Sequence, residues 1–427
     1  MMPITLPHPK GAAIGLADCG RSLQSVPMTI LIRNARVLTL TGGARPRRGA
    51  ELGQLAALDH GEVLVDGGKI VAVGTALEAP AGAEIIEAHG RVLMPGFVDC
   101  HTQACWHSDL PALLEPASPG SPPPPNPSRG FSAVVDDVRQ ATRKQLAARL
   151  KERLGVMLRE GTTTAEVKSS HGITPEAHQK MLQAIQRAAH EWPATIVPTA
   201  FLGQGNEGDP EGFSKMVTKE ILAPVSHEFP GIPVEACCDR DAWTVESCVR
   251  LLERAKLRGH PLRVSADQQV TLGMISEALR LGALSVAHLD VSTKADLTLL
   301  ANSHAFGVIL PATSLSTGQR FARAGFFVET GGALALATNC NPVSSPGHSM
   351  PLAIALAVRF CGLTAAEAIA ACTVNAATLL GLGDRGTIAP GQRADLILLR
   401  HKDERMLACE MGGNPVDLVI CGGAIQR

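Results

Sequence analysis

Apolar residues between positions 96 and 382 come in short runs that alternate with segments of helical periodicity. In two of those segments, 145–160 and 244–258, apolar residues recur at spacings of three and four, which is typical of helices that cover a core. The apolar runs are short enough for buried strands, and there are eight of them: 96–100, 166–168, 196–202, 234–237, 262–265, 285–289, 307–310 and 333–338. Eight strands in alternation with helices predict an α/β protein built as a (β/α)8 TIM-type barrel.

Short β-rich runs flank the barrel segment on both sides. The N-terminal runs are 30–32, 36–40, 63–65, 70–73 and 91–93, and the C-terminal runs are 386–399 and 416–425. Neither group is large enough to bury a core alone, so we expect the two groups to pair into one small β-sandwich domain. The predicted domains are a flexible leader at 1–27, a barrel at 95–382, and a β-domain built from 28–94 plus 383–427.

A proline-rich stretch, 116–127, interrupts the alternation of strands and helices. Its prolines lack an N–H donor and fix φ, so the stretch is predicted to be a loop. It is either a surface insertion without fixed structure or a stiff rim beside the pocket. The leader leaves a similar choice open, because Met28 could be the translation start in place of Met1.

Charge and hydropathy narrow the class of partner. The 39 basic and 40 acidic residues nearly cancel, and the absence of a long basic run argues against nucleic-acid binding. No apolar stretch approaches the ~20 residues needed to span a bilayer, and 1–27 lacks the apolar core of a secretory signal. We therefore expect a cytoplasmic protein with a small-molecule substrate, no membrane partner and free thiols at its eleven cysteines.

The first predicted barrel strand leads into His101 and Gln103. Side chains at i and i+2 of a strand point the same way, so these two should face the same mouth of the barrel. The segment 95–102, PGFVDCHT, resembles the P-G-x-[IV]-D-x-H-x-H opening of the amidohydrolase superfamily, in which both histidines bind a metal. In this chain only the first of the two histidines is present.

Further segments resemble the imidazolonepropionase branch of that superfamily, in the same order along the chain. They are VRQATR at 138–143, EVKSSHG at 166–172, FLG at 201–203, ADQ at 266–268, AHL at 287–289, TNCNP at 338–342, and GT to ADL between 386 and 396. Agreement in order over roughly residues 30–427 is far more specific than one motif. The resemblance implies a hydrolase that opens the cyclic amide of 4-imidazolone-5-propanoate to N-formimidoyl-glutamate in histidine degradation. It also implies zinc or iron, and a homodimer.

The resemblance places the metal ligands at four positions, of which three differ from the family's His, His, His and Asp. Those positions read His101, Gln103, Ser265 and Asn339. Neutral amide and hydroxyl oxygens are weak replacements for imidazole and carboxylate, and the change from Asp to Asn removes the charge that balances a divalent cation. We therefore do not expect the tight zinc binding that the family pattern implies.

The remaining candidate residues are assigned by the same resemblance. His288 takes the place of the family's strand-six histidine, which assists proton transfer or orients the attacking water, and Asp267 and Gln268 are catalytic candidates beside it. The predicted substrate-binding residues are His171, Arg139, Asn341 and Ser344. Gly205 stands where the family has His, and Leu110 replaces an Arg whose planar fork would suit a carboxylate.

Alternative functions remain open. The chain could be a catalytically decayed or repurposed barrel that binds a small heterocyclic ligand without metal-dependent hydrolysis, or a hydrolase that uses Asp267 or His288 as the base without a metal. A metal site rebuilt from Cys100, Cys105, His107 and His171 is a further alternative. Strand parity rarely persists past a strand end, however, so Cys105 is expected to be a packed thiol.

Overall fold

A computed structural model describes residues 29–108, 127–205 and 209–426. Its strands are β1 Ile30–Leu38, β2 Ala57–Asp66, β3 Lys69–Gly74, β4 Glu84–Glu87, β5 Val92–Pro95, β6 Phe97–Asp99, β7 Thr162–Lys168, β8 Thr195–Gly203, β9 Val234–Cys238, β10 Leu262–Ala266, β11 Ser285–His288, β12 Phe306–Ile309, β13 Ala333–Leu336, β14 Leu396–Leu399, β15 Val416–Cys421 and β16 Ala424–Gln426. They form two sheets of eight strands each.

The strands β6 to β13 form the barrel, each hydrogen-bonded to the next in parallel. The circle closes at the carboxyl ends, where the backbone N–H of Asn339 donates to His101 (3.0 Å) and that of Gln103 donates to Asn339 (2.8 Å). Most residues of these strands are buried, as expected of parallel strands covered on both faces. All eight predicted barrel strands are present, so the predicted fold class is confirmed.

Helices surround the barrel and begin at recognisable caps. They are α1 Pro127–Gln140, α2 Arg143–Arg159, α3 Pro175–Glu191, α4 Pro210–Met216, α5 Leu222–Glu228, α6 Val245–Leu257, α7 Met274–Leu281, α8 Lys294–Ala301, α9 Pro311–Thr317, α10 Ala324–Glu329, α11 Met350–Phe360, α12 Ala365–Ala371, α13 Val374–Leu379 and α14 Met406–Cys409, with a 3-10 turn at Gly49–Gly53 and a π-helical turn at Val217–Ile221. Thr142 and Gln145 form a reciprocal capping box at the start of α2. The helices predicted at 145–160 and 244–258 correspond to α2 and α6, and their predicted ends lie within two residues of the observed ones.

Strands from both ends of the chain share the second sheet. Its order is β16-β15-β14-β5-β1-β2-β3, with β4 added beside β1, and these strands are hydrogen-bonded into one continuous sheet. The two ends meet where Leu396 of β14 pairs antiparallel with Pro95 of β5. The runs predicted at 30–32 and 36–40 form one strand, because Asn34 takes a left-handed conformation (φ 50°) at a register shift that does not end the pairing.

The predicted β-run at 386–399 is shorter than expected. Only Leu396–Leu399 is a strand, because the glycines and Pro390 before it favour turns. The ten cysteines in the described residues are free thiols. Within the same ranges, we find no helix with the length and apolar character needed to cross a membrane.

Candidate active site

Three predicted site residues at the carboxyl ends of the barrel strands have left-handed backbone conformations: Asp267 (φ 60°), His288 (φ 79°) and Asn339 (φ 69°), as do the adjacent Leu289 (φ 65°) and Cys340 (φ 38°). Such conformations are uncommon for residues other than glycine and cluster at functional sites. They bend the chain at the end where TIM-type barrels carry their active sites. This mouth is therefore the candidate active site.

Gln103 and Asn339 lie at the seam where β6 and β13 meet, and their side chains bond to each other. The Nε2 of Gln103 donates to Asn339 Oδ1 over 3.2 Å, and Gln204 Nε2 donates to Gln103 Oε1 over 3.3 Å. Asn339 Nδ2 in turn donates to Thr313 Oγ1 (3.0 Å) and Ser344 Oγ (3.4 Å). The side-chain amides of Gln103 and Asn339 are thus hydrogen-bonded to each other and to neutral neighbours.

Ser265 belongs to a second, charged network below the mouth. Its hydroxyl donates to Glu235 Oε1 over 2.7 Å. Glu235 also pairs with Lys168, whose ammonium lies 2.9 Å from Glu166 Oε2, and Arg263 pairs with the same Glu166. The four charged side chains are at most 3% exposed. Two cations and two carboxylates therefore balance in the barrel interior.

His101 remains as the one imidazole among the four predicted metal positions. Its Nε2 is buried and has no hydrogen-bond partner in the described part of the chain. Burial first, and then the positive charge of Lys168, lower the pKa of His101 well below its usual value, so the ring is neutral.

The donor set does not fit the zinc or iron that the family pattern implies. Zinc sites use imidazole, thiolate or carboxylate ligands, and these positions offer one imidazole, two amides and a hydroxyl. Among residues 29–108, 127–205 and 209–426, no three His, Cys, Asp or Glu side chains are arranged to hold a metal ion. Cys105, a candidate for a rebuilt site, lies buried in the core, and burial raises its pKa to about 12.

His288 ends β11 and faces His101, with ring centroids 6.2 Å apart. Its Nδ1 lies 3.8 Å from Asp290 Oδ2, and the other oxygen of Asp290 accepts from Ser314 Oγ over 3.1 Å. Burial raises the pKa of Asp290. The two side chains are placed like a general base and the carboxylate that orients it, although 3.8 Å is longer than a hydrogen bond.

Asp267 and Gln268 follow β10 on a loop whose backbone N–H groups donate to the carboxylate of Asp239. Asp239, after β9, accepts the backbone N–H groups of Gln268 (2.7 Å), Gln269 (3.1 Å) and Val270 (3.3 Å). Asp267 itself accepts from Ser292 Oγ over 2.7 Å, and burial raises its pKa to about 6. Asp239 therefore fixes the backbone from which the predicted Gln268 side chain extends.

His171 lies in a buried corner of the site with Phe131 of α1. Ser170 Oγ bonds to His171 Nδ1 over 2.8 Å, whereas His171 Nε2 has no partner within the described ranges. Burial lowers the pKa of His171 to about 3. The Phe131 ring is 5.6 Å from His171, and an added Cβ on Gly205 would lie 2.6 Å from that ring. Phe131 thus fills the space beside the position where the family pattern has His.

The remaining predicted substrate-binding residues are placed as follows. Arg139 lies on α1 and forms an ion pair with Asp136 of the same helix (3.7 Å). Asn341 Oδ1 accepts two backbone N–H groups of its own turn, from Val343 (2.8 Å) and Ser344 (3.2 Å). Ser344 joins the seam through Asn339. Leu110 and the proline-rich stretch up to residue 126 lie outside the described residues.

Sequence reasoning missed Asp290, Glu235, Asp239 and Phe131. Two of them carried a signal. Asp290 follows His288 at the i+2 spacing, and Glu235 interrupts an apolar strand with a charge, which a buried strand tolerates only with a partner. Asp239 and Phe131 gave no local signal, because their roles depend on contacts with distant segments.

Comparison with known proteins places this chain in a family. The profile of the Amidohydrolase family matches residues 92–425, and the chain belongs to that family. Within it, the chain is 37% identical over 406 residues to imidazolonepropionase of Herpetosiphon aurantiacus, covering 91% of this chain and 95% of that protein. It is 37% identical over 372 residues to imidazolonepropionase of Deinococcus deserti, covering 87% and 93%. The predicted family resemblance is confirmed.

Solved structures with lower identity support the fold. A triazine hydrolase variant superposes with a TM-score of 0.70 at 16% identity, covering 93% of this chain and 94% of that chain. Atrazine chlorohydrolase from Arthrobacter aurescens, solved in complex with zinc, superposes with a TM-score of 0.68 at 17% identity and the same coverage.

Proposed function

We propose that this chain is an imidazolonepropionase-like hydrolase that opens the C–N bond of a cyclic amide in a small ring. The observation that carries the proposal is the His288–Asp290 pair, buried at the mouth of an amidohydrolase barrel and directed toward the neutral His101. An imidazolone ring is the substrate that the relatives' name suggests.

The chain's own residues supply a complete proton path. His288 accepts a proton from water as the water oxygen attacks the ring carbonyl carbon, and Asp290 stabilises the imidazolium that forms. When the tetrahedral intermediate collapses, the C–N bond breaks and His288 returns the proton to the leaving ring nitrogen. One water is consumed: its oxygen and its second proton remain on the new carboxylic acid, which releases that proton to solvent, and the ring nitrogen becomes an open-chain nitrogen group. Asp267, held by Ser292, is the second candidate base.

The developing oxyanion requires hydrogen-bond donors on the opposite side of the carbonyl. His101 Nε2, in its protonated tautomer, and the amide of Gln103 are neutral donors already fixed at the seam. Donors that are held in place before the reaction stabilise an oxyanion without reorganisation. Under the proposal, His171, Asn341, Ser344, Gln268 and Arg139 contribute to binding the rest of the substrate.

The family pattern implies zinc or iron, but the donor set does not fit either ion, so no step is derived through a metal. A cytoplasmic location and a homodimer are also part of the proposal. So is the division into a leader at 1–27, a β-domain at 28–94 plus 383–427, and a barrel at 95–382.

A second function is favoured by one observation. The amides of Gln103 and Asn339 bond to each other, which suits a barrel that has lost hydrolysis and now binds a heterocyclic ligand. Such a protein would bind the ring without opening it.

Ring opening by the purified protein distinguishes the two functions. The loss of imidazolone absorbance is followed with 4-imidazolone-5-propanoate and with the unsubstituted ring, and binding of the same rings is measured by calorimetry. We expect turnover, with His288→Asn lowering kcat by about 100-fold or more. His304→Asn is the matched control, because His304 is exposed before β12, on the opposite face of the barrel. Binding without turnover in the wild type would support the second function.

A further inference from the structure

We propose that the position at which the family pattern has its metal centre is a neutral hydrogen-bond network in this chain, and that the protein folds without a resident divalent ion. This network, the seam network, consists of His101, Gln103, Asn339, Thr313, Ser344 and Gln204. His101 joins it through its backbone carbonyl, which accepts from the N–H of Asn339. The inference goes beyond the proposed function and does not depend on turnover.

The side-chain oxygens that could bind a metal already accept hydrogen bonds. Asn339 Oδ1 accepts from Gln103 Nε2, and Gln103 Oε1 accepts from Gln204 Nε2. A metal ion would have to displace these partners and would leave the amide N–H groups of Gln103 and Gln204 without acceptors. Unpaired buried donors are costly. The network therefore competes directly with a metal for the same oxygens.

The charge balance below the seam also disfavours a divalent ion. Lys168 and Arg263 already neutralise Glu166 and Glu235 below the seam, and Ser265 engages Glu235 as well. A divalent ion would add two positive charges to a buried interior in which Glu166 and Glu235 are already paired with cations. An aspartate at position 339 would supply compensating charge, but Asn339 cannot. Burial of unbalanced charge is strongly unfavourable.

The other carboxylates near the mouth do not supply that charge at the seam. Asp99 accepts from the hydroxyl and the backbone N–H of Thr338, Asp267 accepts from Ser292, and Asp290 faces His288 and Ser314. Each has a polar partner other than the side chains of Gln103 and Asn339.

The buried Nε2 of His101 indicates the kind of ligand that the seam network can bind. His101 Nε2 is buried and without a partner in the described residues, and every other member of the seam network is neutral. Such a group recognises an uncharged hydrogen-bonding edge, such as a ring carbonyl or a ring N–H, rather than a cation or a carboxylate. The chemical class of ligand at this position is therefore an uncharged hydrogen-bonding group.

Metal content tests the inference without measuring activity. The protein is purified without chelator, incubated with equimolar zinc, desalted, and measured by mass spectrometry of the metal. We expect fewer than about 0.1 equivalents in the wild type, because the position offers only one imidazole and no carboxylate or thiolate to bind zinc. The triple variant Gln103→His, Ser265→His, Asn339→Asp should retain about one equivalent.

A second triple variant is the matched control. It carries Gln103→His and Ser265→His with Asn341→Asp in place of Asn339→Asp, so that the same charge is added two residues away, where the carboxylate can still cap its own turn. We expect it to bind zinc at least about 100-fold more weakly than the first triple variant. Circular dichroism of all three proteins shows that each is folded.

The outcomes are distinct. Stoichiometric zinc in the wild type, or equal zinc binding by the two triple variants, overturns the inference. Failure of ring opening in a wild type that holds no zinc contradicts the proposed function and leaves this inference intact.

Discussion

Removing the cation at the centre of the buried charge network is a direct test of how the barrel interior is stabilised. We expect Lys168→Met to be strongly destabilising, because Lys168 is fully buried between Glu166 and Glu235. Glu166 keeps Arg263 and Thr199 as partners, whereas Glu235 keeps only the hydroxyl of Ser265. One carboxylate is thus left buried without a countercharge.

The size of the effect follows from what Glu235 does in the variant. An ordinary glutamate holds its proton only below about pH 4.3, so holding one at pH 7 costs about 1.36 kcal/mol for each of about 2.7 pH units, or ~3.7 kcal/mol. Breaking a buried pair by removing one partner costs a similar ~3–5 kcal/mol. Because the folded variant then holds a proton that the unfolded chain releases, its deficit should shrink as the pH falls, by ~2 kcal/mol between pH 7 and 5.5.

Urea unfolding followed by circular dichroism at both pH values measures this difference. Adding Glu235→Gln to Lys168→Met should recover most of the loss at pH 7, since the uncompensated charge is gone. Lys151→Met is the control, because Lys151 forms an exposed pair with Glu191 and should cost less than ~1 kcal/mol. A Lys168→Met variant that loses less than ~1 kcal/mol, with no dependence on pH, would refute the reasoning.

Two further predictions concern the surroundings of the site. Burial lowers the pKa of His178 to about 3. Because the folded pKa is depressed, the stability that neutral His178 contributes is present above the unfolded pKa of about 6.5 and is lost as the pH falls. The wild type should therefore lose ~2 kcal/mol of stability at pH 5 relative to pH 7 from this residue alone, and His178→Gln should show a smaller drop in Tm over that range. Gly205→Ala would place a Cβ 2.6 Å from Phe131 at a φ of +70° and should cost ~1–3 kcal/mol in urea unfolding; an equal cost in a Phe131→Leu background would show that this contact is not the cause.

The architecture could be predicted because it depends on the local pattern of apolar and polar residues. The barrel strands are apolar runs with helices between them, and α2 begins at Thr142, whose cap is legible in the sequence. The break expected near Asn34 was not there, since a register shift kept both halves of β1 paired with β2. A polar residue at a bulge and one at a turn look the same in sequence.

The site could be predicted less completely, because its partners come from separate strands. Family alignment identified His101, Gln103, Ser265 and Asn339 as positions, but not that Gln103 would bond to Asn339 or Ser265 to Glu235. Charges inside apolar strands, such as Glu166 and Arg263, require buried partners, but this signal did not enter the sequence-based prediction. Which charge meets which depends on the register of neighbouring strands, which one sequence does not specify.

The bond between Gln103 and Asn339 lies on the seam that closes the barrel, where the first and last strands also exchange backbone hydrogen bonds. In a protein whose barrel is held at this point by a metal, the binding energy of the ion contributes to folding, so folding depends on metal supply. Here the chain provides that connection itself. Its yield in a producing cell should consequently be the same in zinc-starved and zinc-supplemented medium, and a chelator should leave its Tm unchanged.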